Sequence, residues 1–112
     1  SAYIRAGVAS RTGRIDIVWQ TSAGVTISTT SGTNQTLTSG TFTRISTTAT
    51  APSNAAYAYL IITIQTVNIG EQFYVDSILF EQSSSVGTYI DFASAITVYD
   101  YEMARGITTT YR

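Results

Sequence analysis

Seven carboxylates are the groups in this chain best suited to acid–base chemistry: Asp16, Glu71, Asp76, Glu81, Asp91, Asp100 and Glu102. A glycosidase works with two such carboxyls on either side of the bond it breaks. Nothing in the spacing of these seven singles out a pair. His and Lys are absent, so the many Ser and Thr hydroxyls have no ordinary base to activate them. Cys is absent too, which removes any disulfide framework and any thiolate metal site. The residues predict a chain that does not catalyse a reaction.

Recognition chemistry is better supplied. Exposed aromatic rings stack on the apolar faces of sugars, and polar or charged neighbours orient the hydroxyls. Tyr3, Arg5, Arg14, Tyr57 and Tyr59 fit that role, because each falls on a strand face opposite an aliphatic one. The plainer reading is that these tyrosines pair across neighbouring strands and only stabilise the sheet. Trp19 continues the face of Ile15 and Ile17 and reads as core. Asp76 interrupts "QFYVDSILFEQ", residues 72–82, a run that alternates as a strand with two largely apolar faces. A buried carboxylate must be solvated, paired or bound to a cation, and Arg5 and Arg44 are the candidate partners.

The elements that must hold these residues are strands. Thr, Ser and Ile are the commonest residues, with Val and Tyr adding to the β-formers, and the helix formers Glu, Lys, Leu and Met are scarce. At 112 residues the chain makes one domain at most, with a modest core. A net charge of −1 gives no basic field for nucleic acid or anionic lipid. No apolar run approaches the roughly 20 residues that span a bilayer, so membrane insertion is not expected. The first residue is Ser and no signal-peptide pattern follows it, which reads as a processed or excised chain.

"AYIRAGV" is the first predicted strand. "ASRTG" has turn chemistry, and "RIDIVWQ" then alternates, with Ile15, Ile17 and Trp19 inward and Arg14, Asp16 and Gln20 outward. "VTIST" is a short strand, and the polar, Gly-punctuated residues 31–41 are a loop with a weak edge strand at "QTLT". "FTRISTTATA" reads as a Thr-rich strand closed by Pro52. "AYAYLIITIQ" sets Ala58, Leu60, Ile62 and Ile64 against Tyr57, Tyr59, Ile61 and Thr63. Six or seven strands separated by turns predict an all-β fold, an antiparallel β-sandwich. Residues 1–82 form it, and residues 83–112 read as a tyrosine-rich C-terminal extension. Tyr89, Phe92, Tyr99, Tyr101, Arg105 and Tyr111 suit a subunit interface, where Tyr and Arg are enriched. The same tail folding back on its own sandwich is the alternative.

Several stretches, in this order, resemble one family. "SAYIRAG", "IDIVWQ", "GTFTRISTTATAPSNAAYAYLIITI", "FYVDSILFEQ", "GTYIDF" and "VYDYEMARGITTTYR" are similar to carbohydrate-binding-module-like domains of the galactose-binding-like group. The version they resemble belongs to minor tail proteins of tailed phages that infect actinobacteria. The chain departs from the pattern at "YIDFAS", where "YFDG" is usual, and at Met103, where Trp is common. The resemblance implies a jelly roll that lacks its N-terminal strands in this chain, those strands being outside it or supplied by a neighbouring chain. It implies a non-catalytic module of the phage tail tip, extracellular in the virion, that contributes to tail assembly and to attachment on host-surface glycan. Its partners would be other tail proteins, host glycan and further copies of itself as a homo-oligomer. It also implies a structural calcium near the last strand with Asp76 as a ligand, although no cluster of acids in sequence supplies the roughly six to eight oxygens calcium takes. The runner-up is the carbohydrate-binding module of a secreted glycoside hydrolase, and a purely structural spacer is the third reading.

Overall fold

A computed structural model of the chain describes residues 1–89. Seven strands run in order through them: β1 Ala2–Ala6, β2 Arg11–Gln20, β3 Thr26–Thr30, β4 Gln35–Leu37, β5 Thr43–Ile45, β6 Tyr57–Gln65 and β7 Phe73–Asp76. There is no helix among the described residues. The strands form two antiparallel sheets, one ordered β5-β1-β7, the other built on β2. The molecule is an all-β sandwich, as the alternating pattern predicts.

β2 organises the larger sheet because, at ten residues, it is the longest strand and pairs along both edges. β6 runs along one edge, from Thr12↔Gln65 to Gln20↔Tyr57. β4 and β3 share the other edge, β4 at Arg11–Gly13 and β3 at Ile17–Gln20. β1 is the centre of the smaller sheet, and its inward residues Ala2, Ile4 and Ala6 are buried. They meet Ile15, Leu37 and Ile45, so the core lies where β1 and β5 cover β2 and β4. The Ala6 N–H donates to the Thr38 carbonyl at 2.9 Å and ties the two layers together there.

Several local expectations are corrected. β2 begins at Arg11, so Arg11–Gly13 are strand rather than turn. β5 covers only Thr43–Ile45 of the Thr-rich stretch. β7 stops at Asp76, and Ser77 turns left-handed at φ 53°, so residues 77–82 do not continue the strand. That strand is not covered on both sides either, since Tyr74, Val75, Ile78 and Phe80 are exposed. Asp16 points to the outer face but is buried, at 6% exposure. Its Oδ1 takes the Arg14 Nε–H and the Gly32 N–H, both at 3.0 Å. Gly32 can come that close because it has no side chain. A Cβ there would collide with the Ile15 carbonyl and the Thr47 hydroxyl, which are themselves hydrogen-bonded at 2.6 Å.

Candidate ligand-binding face

The outer face of the smaller sheet gathers the most varied chemistry. β1 places Tyr3 and Arg5 two residues apart on that face. Antiparallel pairing sets Tyr3 opposite Arg44 on one side and Asp76 on the other. Arg5 lies opposite Tyr74, and Phe42 flanks it from the β5 side. Two rows result: Arg44, Tyr3, Asp76, then Phe42, Arg5, Tyr74.

Cations and rings alternate in this grid. The Arg5 guanidinium sits 4.3 Å from the Tyr74 ring centroid and 5.5 Å from that of Phe42. Arg44 lies 5.7 Å from the Tyr3 centroid. Such contacts contribute about 0.5–1 kcal/mol each at exposed sites, and they keep the guanidinium groups beside the rings. Arg5 also donates to the Ser39 carbonyl at 3.2 Å, and Arg44 donates to Ser1 Oγ at 3.0 Å and to the Gly87 carbonyl. The Ser1 ammonium beside it is held below its ordinary range, first by burial and then by the Arg44 charge. Neither Arg5 nor Arg44 has a carboxylate partner among the described residues, whose ion pairs are Arg11–Glu71 and Arg14–Asp16. Phe42 and Tyr74 remain 44% and 41% exposed. Rings and guanidinium donors thus share one accessible surface.

The five residues expected to bind a ligand do not come together. Tyr3 and Arg5 belong to this face. Tyr57, Tyr59 and Arg14 lie on the outer face of the other sheet, across the sandwich. There Tyr57 and Tyr59 are well exposed, and Arg14 is committed to Asp16. Phe42, Arg44 and Tyr74 complete the grid and were not among the residues expected to bind. The alternation of "QFYVDS" and "FTRI" carries their facing, but the sequence carries no sign that both segments flank β1.

Asp76 is exposed at the end of β7, and its Oδ1 accepts the Ser77 N–H at 2.8 Å. The expected pairing with Arg5 or Arg44 is not formed. Among the described residues no three acidic side chains gather where a cation would sit. Tyr89 is half-buried at the limit of the described residues. Phe92, Tyr99, Tyr101, Arg105 and Tyr111 lie outside them.

A concavity of about 630 Å³ opens between the sheets, lined by Ile17, Trp19, Ala58, Leu60, Leu79 and Phe80 among others. Its floor is apolar, while Ser1, Thr47, Thr48, Glu81 and Gln82 put polar groups along its walls. Trp19 spends its indole N–H on Thr30 Oγ1 at 3.1 Å. Comparison with known protein families, curated proteins and solved structures finds no match.

Proposed function

We propose that this chain is a non-catalytic recognition module of a phage tail tip, part of a minor tail protein, that attaches to host-surface glycan. The observation that carries the binding reading is the stacking of Arg5 on Tyr74 beside an exposed Phe42. Rings of that kind cover the apolar side of a pyranose, while guanidinium and carboxylate groups bond its hydroxyls. Asp76 and Arg44, set on either side of Tyr3, supply both signs of polar group. The tail-tip assignment is supported by the ordered motifs from "SAYIRAG" to "VYDYEMARGITTTYR", and other tail proteins and further copies of the chain are its proposed partners.

The test is co-sedimentation of the chain with actinobacterial cells and with their isolated cell-wall polysaccharide. Replacing Phe42 and Tyr74 together by Ala should weaken binding at least tenfold, while Tyr57→Ala with Tyr59→Ala should leave it within twofold. Equal loss from both pairs, or from neither, removes the smaller sheet as the binding face. Antibody against the chain should label the tail tips of purified virions; label elsewhere or nowhere ends the tail assignment.

A further inference from the structure

The opposite side of the molecule carries a different kind of site. One edge of β6 is paired with β2 over its full nine residues, and the other edge has no strand beside it among the described residues. At about 3.4 Å per residue this is an open ladder roughly 30 Å long. Natural sheets protect such edges with charges, proline, bulges or by keeping the strand short. β6, "YAYLIITIQ", has no charged residue, proline or glycine, and its register with β2 is unbroken. The edge strands of the other sheet, β5 and β7, are three and four residues long.

We propose that this edge pairs with the β6 of a second copy of the chain, antiparallel and two-fold, with Ile61 on the axis. The strand suits itself electrostatically. It has no like charges to oppose, and the nearest charges on its sheet, Arg14 and Asp16, neutralise each other. Antiparallel partners share a face, and only the register centred on Ile61 overlaps all nine residues. It sets Tyr59 opposite Thr63 and Tyr57 opposite Gln65 on the outer face, and Leu60 opposite Ile62 and Ala58 opposite Ile64 on the inner. The half-buried inner row then continues into an identical apolar row, and an aromatic–β-branched pair of the kind that stabilises sheets forms outside. Edge pairing alone stands at the small end of specific interfaces, which run upward from about 1,200 Å², so the dimer should dissociate on dilution.

Cysteine chemistry makes the register testable, since the chain has none of its own. Ile61→Cys places one thiol opposite its copy, at a spacing of about 4.5–5.5 Å between Cβ atoms, within reach of a disulfide after slight adjustment. Mild oxidation should convert it to covalent dimer at least tenfold faster than Val25→Cys, an exposed site beside β3 that the proposed pairing keeps apart from its copy. Native mass spectrometry and sedimentation should show concentration-dependent dimer in the unmodified chain. Ile61→Lys, which sets two ammonium groups face to face, should give monomer with an unchanged circular-dichroism spectrum. Monomer at every concentration, equal cross-linking of the two cysteine variants, or dimer that survives Ile61→Lys each overturns the proposal. Monomer whose β6 amides resist hydrogen exchange overturns it as well, because another segment of the same chain would then cover the edge.

Discussion

The two ends of the sandwich are built from similar residues and reach different degrees of closure. Where β1 and β5 lie over β2 and β4, Ile4, Ile15, Leu37 and Ile45 lose essentially all contact with solvent. Along β6, Leu60, Ile62 and Ile64 are only half-covered. Val75 shares the inner face with Ile4, its partner in register, yet is 43% exposed while Ile4 is sealed. Hydrophobicity does not separate these residues. Neighbours do: β2 has strands on both edges and a sheet above it, whereas β6 has no strand on its second edge among the described residues and the cleft above it. Burial is therefore a property of the layer, and the same apolar side chain holds the fold at one end and is left available at the other.

The largest expected effect breaks the closed end. Leu37→Ala should cost about 2–5 kcal/mol, the range for emptying a fully packed site that cannot collapse. Leu60→Ala, on the half-covered row, should cost roughly 1–2 kcal/mol because less transfer energy is lost and solvent can enter. Urea unfolding of both variants checks this, and equal losses would mean that the two ends are packed alike. Next in size is Asp16→Ala. It leaves the Gly32 N–H and the Arg14 guanidinium without their acceptor, at a cost of about 1–3 kcal/mol. Gly32→Ala should act on the same contact by pushing the loop off Ile15 and Thr47, so the double variant should be no worse than the more damaging single one.

Which parts were legible follows from the range of the signal. β2 and β6 are clear in sequence because strict alternation is local, and their inward residues Ile15, Ile17, Trp19 and Leu60 are where alternation puts them. Asp16 also points outward as alternation requires, but its burial depends on a glycine sixteen residues away. Leu37 is one apolar residue in a polar loop, with no period to mark it, yet it is fully buried. Asp76 looked enclosed because apolar residues continue to Phe80, and the left-handed turn at Ser77 that ends the strand leaves no compositional mark. The grid on the smaller sheet was half legible. Tyr3 and Arg5 show their facing, but their companions come from segments about forty and seventy residues further along, and strand order is not written in either.

The smallest expected effect tests what holds the open end in place. Arg11 begins β2, and Glu71 precedes β7; the two side chains form a two-pronged ion pair, with Nε to Oε1 at 2.9 Å. The Arg11 hydrogen bonds hold the Glu71 carboxyl below its ordinary value of 4.5, against an opposing push from desolvation. A carboxyl that is more acidic folded than unfolded stabilises the fold above the unfolded value and loses that contribution as pH falls through the folded one. Glu71→Gln should therefore unfold at a slightly lower temperature than the parent at pH 7. The difference should shrink below about pH 4.5 and disappear once the parent carboxyl is protonated. If the pair clamps β7 to the larger sheet, the variant should also speed amide exchange in Phe73–Asp76 while leaving Ile15 and Leu37 unchanged. Equal acceleration at both ends would instead mean that the sandwich opens as one unit, and that its half-covered side is no looser than its sealed one.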